Sequence, residues 1–168
     1  MKILTRKQIP RGKIMINGFT NQYRYLDNSF HSPFRYRGQW WDTVTHAYQA
    51  MKTDDKDEQR KIMLAPNPSA AYLLGKRVRL RENWDRIRDF VMMECIIKKF
   101  EQNEQIRKKL IETKDEVLIA KNYWHDNYWG VCNCKDCKVY NEVCKDNNKL
   151  GIILMEVRES FKMQNGGS

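Results

Sequence analysis

Apolar and aromatic residues recur at helical spacing along much of this chain. The clearest run contains Val44, Ala47, Tyr48 and Met51. Side chains three or four residues apart share one face of a helix, so this run predicts a helix over residues 43–51 that Thr43 caps. Thr45, His46 and Gln49 then lie to the sides of the apolar face, where one of them can point into a pocket.

The same periodicity extends to other segments. Further helices are predicted over residues 54–64, 84–100, 103–111 and 150–161. A Pro-Asn-Pro-Ser break at residues 66–69 leaves Ser69 to cap another short helix. Strand patterns are short and fall at residues 13–17, 34–37 and 117–119. The predicted fold class is therefore mainly α, an α+β fold with a few short strands.

Composition and charge fit one globular domain with a basic surface. The chain has 168 residues, of which 41% are hydrophobic and 31% are charged. Its net charge of +10 favours polyanionic partners, although solvated lysines that only keep a protein soluble are the alternative. Basic clusters lie at residues 6–13, 35–37, 76–81 and 98–109. The third cluster, which ends at Arg81, is the best candidate for contact with a phosphate.

Apolar runs along the chain are short. None has the length of a signal-peptide core, and none approaches the roughly 18 residues of a membrane span. We therefore expect a cytoplasmic protein without a membrane partner.

Four cysteines form a compact group near the end of the chain. Cys132, Cys134, Cys137 and Cys144 follow the pattern C-x-C-x-x-C-x6-C. Four thiolates this close can form a tetrahedral zinc site, and free loop thiols or oxidised cysteines are the alternatives. Cys95 lies on the apolar face of a predicted helix, where we expect a buried structural residue.

Aromatic residues crowd around one acid at residues 122–130. Tyr123, Trp124, Tyr128 and Trp129 surround Asp126. Aromatic planes beside a carboxylate suit a site for a nucleobase or a ribose, whereas core packing beside an Asp-Asn turn would produce the same pattern. The sequence has no Gly-rich phosphate loop or dinucleotide fingerprint, and no Ser/His/Asp triad can be assembled by spacing, which argues against a Rossmann oxidoreductase.

Two segments carry a family resemblance. The first is WDTVTHAYQAMK at residues 41–52, and the second is DNYWG at residues 126–130. Shorter matches in the expected order are Tyr25 to Asn28, Ser32-Pro33, Leu80-Arg81, Trp84-Asp85, Lys99-Phe100, Gln102-Asn103 and residues 148–158. On these residues the chain resembles the NADAR superfamily, also called YbiA-like. The resemblance implies a single compact YbiA-like domain over residues 13–162, a basic N-terminal arm at residues 1–12 and a flexible tail at residues 163–168.

The resemblance also implies a reaction. Members of this superfamily look like N-glycosidases, including ones that remove ADP-ribose from guanine in DNA or act on phosphorylated riboflavin precursors. Such a reaction needs a carboxylate near the anomeric carbon, a positioned water and stabilisation of the departing base, but no cofactor. The implied partners are an ADP-ribose-type ligand and single-stranded DNA carrying ADP-ribosylated guanine. Asp126 is the implied catalytic acid, and the implied substrate-binding residues are Asn28, His46, Tyr48, Gln49, Arg81, Trp84, Trp124, Trp129 and Gly130.

The chain departs from the family pattern at two acids. The first hallmark usually has a glutamate, taken to be catalytic, where this chain has Thr45, and a second common glutamate falls on Ala120. A threonine hydroxyl can hold a water but cannot accept a proton at neutral pH as a carboxylate does. Three explanations stay open: a natural binder or altered chemistry, an engineered change that traps ligand, or sufficient catalysis by neighbours such as Asp126. The alternative function is a non-catalytic protein that binds ADP-ribose or another nucleotide sugar.

Overall fold

The computed structural model describes residues 14–139 and 147–165, and it confirms a mainly helical fold with a few short strands. Within the chain, contacts define two compact units. We call residues 28–107 the central unit, and residues 1–27 together with 108–168 the terminal unit. The predicted N-terminal arm, the basic cluster at residues 6–13 and Cys144 lie outside the described residues.

Short strands lie before and after a run of five α-helices, and two further α-helices follow in the described part of the chain. In chain order the elements are β1 (Met15–Asn17), a 3-10 helix (Asn21–Leu26), β2 (Phe34–Tyr36), β3 (Gln39–Trp41), α1 (Val44–Ala50), α2 (Lys56–Met63), α3 (Pro68–Gly75), α4 (Trp84–Gln102), α5 (Glu104–Glu112), β4 (Val117–Ile119), β5 (Lys121–Asn122), β6 (Val131–Cys132), α6 (Lys135–Val139) and α7 (Lys149–Asn165).

Side-chain caps begin the first three helices of the central unit. The Thr43 hydroxyl accepts the amide of His46 at the start of α1, which confirms the predicted cap. Asp55 caps α2 in the same way. The prediction for α3 was wrong, because Asn67 rather than Ser69 accepts the amide of Ala70 at 2.9 Å. Pro68 can then occupy the first helical turn, where its missing amide proton costs nothing.

The core of the central unit forms around α4. This helix packs against α1 and β2, and its buried residues include Trp84, Val91, Cys95 and Ile96. Cys95 is fully buried as predicted, and burial raises the pKa of its thiol. Arg37 and Gly38 both have positive φ in the tight turn that connects β2 to β3.

The terminal unit contains two short parallel strand pairs. β1 pairs with β4, with Ile16 opposite Leu118, and β5 pairs with β6, with Lys121 opposite Val131. Helix α7 packs against β4, where Leu118 and Leu154 are fully buried. The periodicity analysis missed β5, β6 and α6, because two-residue strands and a five-residue helix are too short to show a period.

None of the helices in the described ranges has the length and apolarity needed to cross a membrane.

A buried arginine links α7 to the loop before β4. Arg158 is only 3% exposed, and its guanidinium donates to the Thr113 hydroxyl at 2.8 Å and to the Glu116 carbonyl at 2.9 Å. We expect Arg158→Met to lower the free energy of unfolding by roughly 1.5–3 kcal/mol, because both acceptors lose a charged donor. Arg24→Met, at an exposed position, is the control in the same urea unfolding experiment. Equal stability of the two variants would contradict this role.

Candidate functional site

The first turn of α1 is fixed by His46. Because a carbonyl only accepts, the Nε2 atom carries the proton and donates to the Ala65 carbonyl at 3.2 Å. The Nδ1 atom then accepts from the Thr43 hydroxyl at 2.8 Å. Both ring nitrogens of this buried histidine are thus used within the protein, so His46 positions α1 at the hallmark segment.

Thr45 occupies this turn with a half-buried side chain. Its backbone amide donates to the Asn28 carbonyl at 3.0 Å, which connects α1 to the segment before β2. The side-chain amide of Asn28 donates to the Met92 sulfur at 3.4 Å, a weak acceptor. The predicted residues Asn28 and Thr45 therefore lie together in the central unit.

Two buried amide oxygens near this turn have no hydrogen-bond partner among the residues that the structure describes. They are Oδ1 of Asn28 and Oε1 of Gln49, which lies one helical turn after Thr45. Gln49 is 5% exposed and packs against Gly75, where a Cβ atom would approach the Cβ of Gln49 to 2.7 Å. Leaving a buried acceptor unpaired costs about 1–3 kcal/mol, so two of them beside the hallmark segment call for a functional explanation.

An aromatic pair continues the site along α1. The rings of Tyr48 and Trp84 lie 5.2 Å apart between centroids, in a tilted arrangement, and both side chains are buried. Arg81 precedes Trp84 in the loop before α4, and its guanidinium forms an ion pair with Asp54 at 2.8 Å. The structure thus places three of the predicted residues, Tyr48, Arg81 and Trp84, around the end of α1.

Sequence reasoning missed a cation at this position. The Lys52 ammonium lies 5.8 Å from the centroid of the Tyr48 ring, and the Lys52 carbonyl accepts the amide of Arg81 at 2.7 Å. Burial, together with the charge of Lys76, lowers the pKa of Lys52. An isolated lysine at the end of a helical run gave no signal, because only the fold brings it beside Arg81.

Asp126 is held by the loop between β5 and β6 in the terminal unit. Its Oδ1 atom accepts the amides of Tyr128 at 3.1 Å and Trp129 at 2.9 Å. The buried amide side chain of Asn122 binds the backbone of Asp126 on both sides, donating to its carbonyl at 2.7 Å and accepting its amide at 3.1 Å. These four hydrogen bonds fix the direction of the half-buried carboxylate.

The backbone approaches that of Ala120 closely at Gly130, which requires a glycine at this position. A Cβ at this position would collide with the Ala120 carbonyl and lie 2.7 Å from the Asn122 side-chain nitrogen. Ala120, at the second position where the family has an acid, is buried, and its carbonyl accepts the amide of Val131 at 2.8 Å. Close packing therefore explains why the second hallmark has a glycine at position 130.

The loop aromatics differ in exposure. Trp129 is half-buried, and its ring packs edge-on against Tyr128 with centroids 4.9 Å apart. Trp124 is 72% exposed. Tyr123 is also exposed, and the Lys121 ammonium lies 5.5 Å from its ring centroid. An exposed tryptophan and a cation-supported tyrosine offer flat surfaces on which a base can stack.

Three of the predicted metal ligands lie together beside this loop. Cys132, Cys134 and Cys137 gather around His125, whose Nδ1 atom lies 3.4 Å from the sulfurs of Cys134 and Cys137. The hydrogen bond with His125 lowers the pKa of the Cys134 thiol to about 6, and it raises the pKa of His125. Sequence reasoning did not include His125 in the cluster, because the histidine lies outside the cysteine pattern.

Comparisons with known proteins identify one family. Residues 14–162 match the family model of the NADAR domain. The N-glycosidase YbiA of Escherichia coli K12 is 29% identical over 154 residues, 89% of this chain and 90% of that protein. The N-glycosidase Npun_R5314 of Nostoc punctiforme is 34% identical over 128 residues, 73% of this chain and 76% of that protein.

A solved structure extends the comparison to the fold. The NMR structure of E. coli YbiA superposes with a TM-score of 0.79 at 27% identity, covering 100% of this chain and 97% of that chain. The chain belongs to the NADAR family, and the predicted family and fold class are confirmed.

The role of Asn122 in fixing the loop between β5 and β6 is testable by hydrogen exchange. We expect Asn122→Ala to raise the exchange rates of the Tyr128 and Trp129 amides roughly tenfold, because the loop loses the two hydrogen bonds between the Asn122 side chain and the Asp126 backbone. The measurement is amide exchange followed by NMR. Asn133→Ala, on the other side of β6, is the control, and unchanged exchange in Asn122→Ala would contradict the role of Asn122.

Proposed function

We propose that this chain acts as an N-glycosidase-like protein on an N-linked ADP-ribose, with ADP-ribosylated guanine in DNA as its substrate. The similarity to two proteins named N-glycosidases supports the reaction class. The net charge of +10 supports a polyanionic substrate.

The unpartnered amide oxygens near Thr45 carry this proposal. Ribose hydroxyl groups are donors, and Oδ1 of Asn28 with Oε1 of Gln49 are buried acceptors that lack one. Side-chain adjustment on binding would let hydroxyl groups satisfy both oxygens and remove the cost of leaving them unpaired. A sugar ligand thus explains a feature that the folded chain alone does not.

The remaining groups of the central unit match the other parts of a nucleotide sugar. Lys52 and Arg81 supply positive charge for a pyrophosphate, and the buried Tyr48–Trp84 pair supports Lys52, whose ammonium lies beside the Tyr48 ring. The role of Asp126 rests on the family resemblance alone, which assigns to its carboxylate the stabilisation of positive charge on the sugar as the glycosidic bond breaks. Trp124 and Trp129 are assigned base stacking.

Thr45 limits the rate in this proposal. A hydroxyl at this position can orient the attacking water, but it does not take a proton from the water at neutral pH. General base catalysis typically contributes 10²–10⁴-fold. The same residue favours the second candidate function, in which the protein retains an ADP-ribose-like ligand without turnover.

A charge-specific substitution tests the role of position 45. We expect Thr45→Glu to release ADP-ribose from guanine-ADP-ribosylated single-stranded DNA at least about 10²-fold faster than the unmodified protein, because a carboxylate restores the proton acceptor. Thr45→Gln has nearly the same shape without the charge and is the matched control. Released ADP-ribose is measured by mass spectrometry.

The outcomes separate the candidate functions. Release by the unmodified protein that is lost in Asp126→Ala would show that the chain is an enzyme as it stands. Binding of ADP-ribose without release by the unmodified protein or by Thr45→Glu would favour the binding function. Neither release nor a rise in melting temperature with ADP-ribose would contradict both.

Lys52 gives a prediction for the phosphate contact. We expect Lys52→Met to weaken ADP-ribose binding about 10- to 100-fold in calorimetry, the loss of one charge-assisted hydrogen bond. Because the pKa of Lys52 is lowered, its contribution should decline as the pH rises, at a lower pH than for an ordinary lysine. Lys56→Met is the exposed control. Equal affinities of the two variants for ADP-ribose would show that Lys52 does not contact the phosphates.

A further inference from the structure

We propose that His125, Cys132, Cys134 and Cys137 bind one zinc ion that fixes the loop carrying Asp126. The potential ligand atoms of these four residues all lie within 4.8 Å of one another. The cysteine spacing alone pointed to Cys144 as the fourth ligand, whereas the described residues supply His125 instead.

Distances in the cluster match a tetrahedral ion. Zinc bonds of about 2.3 Å to sulfur and about 2.0–2.1 Å to nitrogen place a sulfur and a nitrogen ligand about 3.6 Å apart at the tetrahedral angle. The Nδ1 atom of His125 lies 3.4 Å from both the Cys134 and Cys137 sulfurs. Both nitrogen–sulfur distances are therefore close to those that a closed structural site requires.

Backbone geometry supports the sulfur ligands. The amide of Cys134 donates to the Cys132 sulfur at 3.3 Å, and the amide of Cys137 donates to the Cys134 sulfur at 3.5 Å. Amide donors stabilise negative charge on thiolates, and such outer contacts orient the ligands of a metal. A hydrogen-bonded run of this kind along C-x-C-x-x-C fits a zinc loop better than three unrelated thiols.

His125 is held in an unusual backbone conformation. Its φ of 65° lies in the left-handed region, where a side chain other than glycine costs free energy. That conformation brings the ring to the cysteines although His125 lies seven residues before Cys132. Coordination of a metal by His125 would offset the free-energy cost of this backbone conformation.

A zinc ion would join both ends of the loop. His125 directly precedes Asp126, and Cys132 follows Gly130 by two residues. Coordination by both would close residues 126–131 into a short ring and restrict the backbone of Asp126, which the Asn122 side chain already binds. A mixed sulfur and nitrogen tetrahedron favours zinc over hard ions such as magnesium or calcium. On binding, three thiols lose protons to solvent and histidine coordinates as neutral imidazole.

Metal analysis of the purified protein tests this proposal. The full chain is expressed in zinc-supplemented medium, and bound metal is measured by mass spectrometry after gel filtration. We expect one zinc per chain. His125→Ala, Cys132→Ser, Cys134→Ser and Cys137→Ser should each lose most of it, while Cys144→Ser retains one equivalent.

A spectroscopic titration keeps the test independent of variant folding. Cobalt added to the unmodified, metal-free protein should give the strong visible bands of a tetrahedral site and thiolate charge-transfer bands, and zinc should abolish both. The proposal would be overturned if neither the unmodified protein nor any variant bound metal. A disulfide between two of the cysteines in the freshly purified protein would overturn it as well. Loss of zinc in Cys144→Ser with retention in His125→Ala would also overturn it, because the ligands would then be four cysteines.

Discussion

The terminal unit depends on side-chain amides that complete its very short strands. A strand of two or three residues leaves much of its own backbone polar surface unpaired, and buried unpaired groups are costly. Asn148 meets this need beside β4, since its side chain accepts the amide of Ala120 at 2.9 Å and donates to the Leu118 carbonyl at 2.9 Å. Asn122 does the same for the loop after β5. The placement of Asp126 follows from these two asparagines, because they fix the backbone on both sides of β5.

Much of this fold was predictable from periodicity. The helices around residues 43–51, 84–100 and 150–161 were predicted within a few residues, because each buries a regular stripe of apolar side chains. The loop between β5 and β6 was not, because its conformation comes from Asn122 and Gly130 rather than from any repeating pattern. The cap of α3 was assigned to Ser69 because serine is a good cap in isolation, yet Pro68 moves the helix start to Asn67.

The candidate site was predictable where residues are close in sequence. Thr45, His46, Tyr48 and Gln49 share α1, and their grouping follows from the helix. Lys52 and His125 were not assigned to a site or cluster, because only the fold brings one beside Arg81 and the other beside three cysteines. Single charged or titratable residues carry little information in a sequence, and their chemistry depends on neighbours distant along the chain.

The frame around position 45 makes no use of the threonine side chain. The turn is fixed by the Thr45 backbone amide bonded to Asn28, by the Thr43 cap and by the internal hydrogen bonds of His46. The side chain at this position can therefore change while the frame stays in place. In the proposed function, catalysis and recognition are then separable at one residue, so a lineage could exchange turnover for retention of its ligand, or regain it, without first rebuilding the fold.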